Sequence, residues 1–311
     1  MQKNKLQKTL LNTKSINGLQ LYCKTLRDFN LERVVKAKLK AINYFFAEND
    51  LNACVLGLSG GADSTLVLKL LLEASNQPGS PIKVVLGCFM PIYSPGITDQ
   101  DKAEDYIKEL NLTCQYGNKY PAYEYQKLDL SAASMAYRQV IGTRTNWHIG
   151  QIDSIVRTPA LYGMAAKLQT HDFNSIVVGT TNRDEGAYIG FYGKQSDGAV
   201  DLQPIADLHK SEVYAMLEYL DAPESIISRT PQGDVHDSRV DEEMFGAPYW
   251  FLEMYQILME NKLTHLLSNI NDCQDINMWV KNIEEQHKKN EHKYKVGTTA
   301  HYIDVMKRTL D

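Results

Sequence analysis

The sequence predicts an α/β protein built on a doubly wound, mostly parallel sheet with helices on both faces. Three apolar runs at residues 52–58, 82–90 and 174–179 read as buried strands. Apolar residues between them recur at helical spacing, and strands alternating with helices imply parallel pairing through crossover connections. A Gly-Gly turn directly after the first run adds the third observation, because such sheets bind ligands at the carboxyl ends of their strands.

Residues 1–29 are polar and read as an irregular N-terminal extension. Leu31, Val34, Val35, Leu39, Ile42 and Phe45 then recur at helical spacing, so a helix feeds the strand at 52–58. Leu66, Val67, Leu70, Leu71 and Ala74 give the following helix an apolar stripe against the sheet. The strand at 82–90 ends in a loop through Pro91 and Pro95, after which Thr98 is placed to cap a helix running to about Leu110. Residues 125–130 read as a weaker strand with a helical segment beyond it. A helix from about Gln151 to Leu168 leads into the strand at 174–179. After Lys210 the chain reads as helix interrupted at Pro223, Pro231 and Pro248, and the charged stretch 283–295 leads into a tail. The expected organisation is an extension at 1–29, one α/β domain at 30–287 with a helical C-terminal part, and a closing tail at 288–311.

With 311 residues and 43% apolar content the chain can bury a real core. No apolar run approaches the roughly 20 residues that span a bilayer. The polar, lysine-bearing start lacks the apolar segment of a secretory signal, so a cytoplasmic protein with no membrane partner is expected. Cys23, Cys54, Cys88, Cys114 and Cys273 form no Cys-x-x-Cys pair and read as reduced structural residues. A formal charge of −5 argues against broad attraction to nucleic acid and favours a small-molecule partner. Glu284, Glu285, Lys288 and Lys289 read as a solvated helix face. His148, His171 and the other histidines show no repeated metal-ligand spacing, so no zinc site is expected.

The chemistry concentrates in the run from Val55 to Thr65, where a strand empties into Ser59-Gly60-Gly61-Ala62-Asp63-Ser64 and a helix follows. Adjacent glycines let backbone N–H groups point inward, and the helix start adds unpaired amides and a positive end, which together predict a pyrophosphate grip. Ser59, Ser64 and Thr65 offer hydroxyls. No Lys follows the second glycine, which separates this loop from those that transfer a terminal phosphoryl group, and Asp63 in that place suggests a divalent metal. Taken alone, the turn also reads as an ordinary strand-to-helix connection with Asp63 as N-cap. A second polar loop, Gly179-Thr180-Thr181-Asn182-Arg183-Asp184-Glu185, falls at the same end of the sheet.

These two loops, with the segment from Gly190 through Lys194 to Leu202, His209-Lys210 and Asn290-Glu291-His292-Lys293, resemble the ammonia-dependent NAD synthetases, members of the N-type ATP pyrophosphatases. The resemblance runs from about residue 30 into the tail. It implies an adenine nucleotide alpha hydrolase-like fold, commonly dimeric, that activates a nicotinate carboxylate with ATP and lets ammonia displace AMP. No amidohydrolase domain that frees ammonia from glutamine is expected, so free ammonia or a separate donor supplies the nitrogen.

On this resemblance Asp63 and Glu185 hold Mg2+ and, with Lys210, form the catalytic group. ATP is held by Gly57, Leu58, Ser59, Gly60, Gly61, Ala62, Asp63, Ser64, Thr180, Lys210 and Gln232. Nicotinic acid adenine dinucleotide, or a related carboxylate, meets Arg157, Lys194, Asp201, His292 and Lys293. The residue types suit the reaction: a free carboxylate would have to expel oxide, whereas an acyl-adenylate expels AMP, so ATP is cut between its α and β phosphates. Metal and loop amides then stabilise pyrophosphate, and a closing tail shields the adenylate from water.

The chain departs from the family pattern at four places. Ile155 stands where the family has the first of two arginines, with Arg157 at the second; Gln232 replaces a small hydroxyl residue; one extra residue lies between Glu185 and Gly190; and Val296-Gly297-Thr298-Thr299 replaces a proline-rich stretch. An apolar Ile cannot supply a guanidinium's donors, which leaves nicotinate mononucleotide or another specialised acid open as substrate. A non-catalytic nucleotide sensor and sulfur transfer to tRNA are further alternatives. The acidic balance and lack of Cys-x-x-Cys disfavour sulfur transfer.

Overall fold

The computed structural model describes residues 13–93, 99–115, 119–229, 240–295 and 301–306. One sheet is formed by β1 (Ala53–Leu58), β2 (Val84–Phe89), β3 (Tyr123–Lys127), β4 (Ser175–Val178), β5 (Leu202–Gln203) and β6 (His301–Tyr302). Its order is β3-β2-β1-β4-β5-β6, and every pairing is parallel. The chain steps outward from β1 through β2 to β3 and then returns to the other side of β1 at β4. The order therefore reverses between β1 and β4, which makes the carboxyl ends of these two strands the switch point where such sheets hold ligands.

Alternation along the central strands divides the core into two layers. Cys54, Leu56 and Leu58 with Val85 and Phe89 pack on one face, against α2 (Leu31–Glu48), α3 (Ala62–Ser75), α4 (Asp99–Gln115) and α7 (Lys210–Tyr219). Ala53, Val55, Val84, Leu86, Cys88 and Val177 face the other way, onto Leu161, Ala165 and Leu168 of α6 (Asn146–Gln169). Strands covered on both faces need apolar side chains at successive positions, which explains their unbroken hydrophobic runs. α5 (Ser131–Ile141) packs on α6, and α8 (Glu224–Ile227) packs on α3 and α7.

A second apolar cluster lies among the later helices, α9 (Asp241–Phe245), α10 (Tyr249–Glu260), a 3-10 turn at Thr264–Asn269 and α11 (Ile276–Lys295). Joined to it is α1 (Ile16–Arg27), in a region expected to be irregular. Leu19, Tyr22 and Cys23 are buried there, and the Cys23 thiol reaches the Met254 carbonyl of α10. Ile16, Leu19, Tyr22, Cys23 and Leu26 do recur at helical spacing and pack into this cluster, a periodic signal that the polar surroundings of the segment obscured.

Other boundaries move for local reasons. β3 lies at 123–127 rather than 125–130, because Tyr123 already pairs with Val85 and Lys127 with Phe89. α4 continues to Gln115, one turn beyond Leu110, while its expected cap Thr98 lies outside the described residues. α6 starts at Asn146 instead of Gln151, since Thr145 accepts a hydrogen bond from the His148 N–H and caps it. Gly61, not Asp63, is the N-cap of α3. Residues 288–295 continue α11, and beyond them residues 301–302 pair with β5 at the sheet edge.

All five cysteines are free, and all but Cys273 are buried. No helix among the described residues is long and apolar enough to cross a membrane.

Candidate active site

The loop after β1 is braced by its own hydroxyls. Gly60 has φ of +74°, a left-handed conformation open to glycine, and Gly61 caps α3 so that the helix's first amides face the strand end. The Ser59 and Ser64 hydroxyls lie 3.1 Å apart, and the Gly61 N–H donates to Ser59 Oγ at 3.2 Å. Ser64 Oγ and Thr65 Oγ1 donate to the Gly61 carbonyl at 3.2 and 2.9 Å. Ser64 and Thr65 are thus buried supports of the loop, while Ser59 faces outward. Gly57, Leu58 and Ala62 shape the loop through their backbone, at the end of β1 and the start of α3.

The loop after β4 is held from behind. A Cβ on Gly179 would lie 2.6 Å from the Gln203 amide, and that close approach lets Gln203 Oε1 accept from the Thr181 N–H at 3.1 Å. Thr180 is half-buried beside it. Asn182 is fully buried and joins the two loops: its Nδ2 donates to Asp63 Oδ1 at 3.1 Å and to Glu185 Oε1 at 2.7 Å. Residues Asp184–Tyr188 form a single π-helical turn, a wide geometry frequent at functional sites.

Lys210, the first residue of α7, completes the group. Its Nζ donates to Asp63 Oδ2 at 2.5 Å and to Glu185 Oε1 at 3.3 Å, and it lies 5.1 Å from the centre of the Tyr249 ring. The Tyr249 hydroxyl sits 2.8 Å from Glu185 Oε1 and 3.1 Å from Asp241 Oδ2. Burial pushes the Glu185 carboxyl up to about 7; Lys210 pulls against this, while Asp63 and Asp241 add to it. Burial alone would lower Lys210, but Asp63 and Glu185 outweigh it and hold the ammonium above its ordinary value. Burial and then Glu185 and Asp241 raise the Tyr249 phenol well above its usual range.

The structure therefore brings Asp63, Glu185 and Lys210 together, as the sequence led us to expect. The remaining expected residues are more dispersed. Arg157 of α6 donates from Nε to the Met90 carbonyl at 3.4 Å, beyond the carboxyl end of β2, and Ile155, two residues earlier on the same helix, is half-buried. Lys194 is exposed in the turn that follows Gly193. Asp201 is a brace: Oδ2 accepts from the Val177 N–H at 2.8 Å and Oδ1 from the Tyr162 hydroxyl at 3.2 Å, tying β4 to α6. Lys293 donates to the Gly190 carbonyl at 2.6 Å and to the Tyr192 carbonyl, which fastens α11 to that loop. Burial lowers its amine to about 8. His292 is exposed, with Nδ1 3.3 Å from the Lys289 carbonyl in its own helix. Gln232 lies outside the described residues.

Three site residues escaped sequence reasoning. Asn182 stands inside the second polar loop, where an amide just ahead of the Asp184-Glu185 acids is the available signal. Tyr249 opens a helix after Pro248 and reads as core. Arg229 donates from Nη1 to the Gly60 carbonyl at 3.0 Å and stacks 5.0 Å from the Tyr106 ring, directly at the phosphate loop.

Comparison with known proteins finds sequences and folds similar to this one. The NH(3)-dependent NAD(+) synthetase of Thermoplasma volcanium is 31% identical over 241 residues, covering 77% of this chain and 86% of that protein. That of Fusobacterium nucleatum is 28% identical over 237 residues, covering 76% and 83%. Among solved structures, the NMN synthetase from Francisella tularensis superposes with a TM-score of 0.65 at 22% identity, covering 86% of this chain and 96% of that one. The NH3-dependent NAD synthetase from Campylobacter jejuni superposes with a TM-score of 0.61 at 23% identity, covering 85% and 96%. These superpositions establish a shared α/β fold. The NAD synthase family model matches residues 34–297, most of the chain and every element that carries the two loops and Lys210, and the protein belongs to the NAD synthase family.

Proposed function

We propose that this protein is an ATP-dependent carbon-nitrogen ligase that adenylates the carboxylate of nicotinic acid adenine dinucleotide and amidates it with ammonia, giving NAD, AMP and pyrophosphate. The observation that carries this reading is the convergence of Asp63, Glu185 and Lys210 beside a glycine loop at the switch point of a parallel sheet. The substrate carboxylate oxygen attacks the α phosphorus and pyrophosphate departs; ammonia then attacks the acyl carbon and AMP departs. The Gly60–Gly61 amides and the start of α3 meet the pyrophosphate, and Lys210 balances its charge. Thr180, and Gln232 three residues after Arg229 in the sequence, are assigned to ATP.

Mg2+ fits Asp63 and Glu185. Two largely buried carboxylates share one ammonium, and Glu185 is held back from full ionisation, a strain that added positive charge relieves. No set of three His, Cys, Asp or Glu side chains is grouped for a metal among the described residues, which suits an ion that takes its other ligands from phosphate and water. When bound it supplies charge neutralisation at the phosphates.

Arg157, Lys194, Asp201, His292 and Lys293 are assigned to the dinucleotide, with Asp201 acting through the position of Tyr162, and residues 288–311 to covering it. The Lys293 contacts with Gly190 and Tyr192 support this cover. A homodimer is proposed through α5 and α6, where Met135, Val140, Ile141 and Trp147 are exposed apolar side chains on packed helices. Five free cysteines suit a reducing, cytoplasmic setting.

Purified protein given ATP, Mg2+, ammonium and the dinucleotide should form NAD with equimolar AMP, as read by mass spectrometry; release of ADP would reject the mechanism. Ile155 favours a second reading in which nicotinate mononucleotide is the acid. A higher kcat/KM for the mononucleotide in the same assay would establish it.

A further inference from the structure

Lys210 is gripped at both ends. Its ammonium meets Asp63 and Glu185, and its backbone N–H donates to Asp184 Oδ2 at 2.7 Å. Asp184 is fully buried, and its Oδ1 lies 2.7 Å from His209 Nδ1 and 3.4 Å from Gln256 Nε2. His209, also fully buried, is the N-cap of α7. Its own N–H donates to Glu212 Oε2 at 2.9 Å, and Arg27 of α1 holds Glu212 from Nε at 2.7 Å and from Nη2 at 2.8 Å. A carboxylate only accepts, so the His209 proton sits on Nδ1. The other ring nitrogen, Nε2, is buried with no hydrogen-bond partner among the described residues.

We propose that Asp184 and His209 are a positioning pair that fixes Lys210 against Glu185, acting through the His209 Nδ1–H. The proposal rests on the ligase reading above. Two sequence-adjacent pairs, Asp184-Glu185 and His209-Lys210, are joined twice. The inner joint is buried and links Asp184 to the His209 ring and the Lys210 amide. The outer joint is the reactive one, between Glu185 and Lys210. Glu185 stands on a π-helical turn, and Asp184 anchors that turn to the start of α7. Histidine is not among the residues that N-cap positions favour, and its reach to Asp184 accounts for it here.

Two amide isosteres separate the ring nitrogens, since Asn places its NH2 where Nδ1 lies and Gln where Nε2 lies. Amide hydrogen exchange at Lys210 in H209N, H209Q and D184N requires no substrate. We expect protection to survive in H209N and to fall at least about tenfold in H209Q and D184N. In turnover, kcat should fall about 10–100-fold in H209Q and D184N with ATP KM little changed, and H209N should recover at least about tenfold of that loss. Equal exchange and equal kcat in H209N and H209Q would overturn the pair, as would losses that follow the folded fraction seen by circular dichroism. A wild-type protein that forms no AMP overturns the ligase reading instead, and the exchange comparison still decides the pair.

Discussion

The ammonium of Lys210 lies 2.5 Å from Asp63 Oδ2, although 147 residues separate them in the chain. Each stands in the first turn of a helix that follows a strand, so the sheet's topology alone brings them together. Removing Lys210 leaves Asp63 and Glu185 facing each other without compensation. K210M should therefore lower stability by on the order of 3 kcal/mol and remove turnover. Chemical denaturation with and without Mg2+ checks this: the ion should recover more stability in K210M than in wild type, and equal recovery would reject Asp63 and Glu185 as the ion's ligands.

Tyr249 contributes one hydroxyl proton between two carboxyls, Glu185 and Asp241. Y249F removes that proton while keeping the ring over Lys210. A fall in kcat of about 10–100-fold is expected, with a melting temperature near that of wild type. Steady-state kinetics with ATP as the varied substrate measures it.

The Lys293 amine, lowered to about 8 by burial, gives a pH signature. Between pH 8 and its ordinary value near 10.5 the unfolded chain binds the proton and the folded chain does not. Stability contributed by this group therefore rises with pH across that window, and the cost of its buried charge is fully present below pH 8. Urea denaturation should show wild type gaining on K293M between pH 8 and 10. A gap that stays constant or narrows would place the amine in ordinary solvent.

Lys38 is fully buried, paired with Asp207, and donates to the Pro204 carbonyl at 2.6 Å and the Ile303 carbonyl at 2.9 Å. Asp207 also accepts from the Val305 N–H at 2.9 Å. K38M should cost about 3–5 kcal/mol by leaving Asp207 unpaired. Hydrogen exchange at Val305 should accelerate more than exchange in β1, because the 301–305 segment loses its anchor first.

The strands and the two phosphate-side loops were legible because each is a local pattern: an unbroken apolar run, then glycines and acids. Asp63, Glu185 and Lys210 could be named together only through the family's ordered motifs, since no local signal tells that three loops meet. Tyr249, Asn182 and α1 were hidden for a different reason. An aromatic opening a helix, an amide in a polar loop and an apolar stripe in a polar segment all have ordinary core or surface meanings, and only tertiary contact selects among them. β5 and β6 span two residues each, too few for alternation to show.

The Lys38 clamp also sets an order of events in folding. Asp207 lies 169 residues after Lys38, and Ile303 lies 265 residues after it. During synthesis the lysine leaves the ribosome long before either partner exists, so seating it early would bury an unpaired cation. Helix α2 therefore finds the partners of this side chain only when the chain's later half arrives. A pairing of such sequence separation forms slowly, because loop closure precedes its reward. The buried ammonium thus ties α2, near the start of the chain, to the segment at 301–305 near its end.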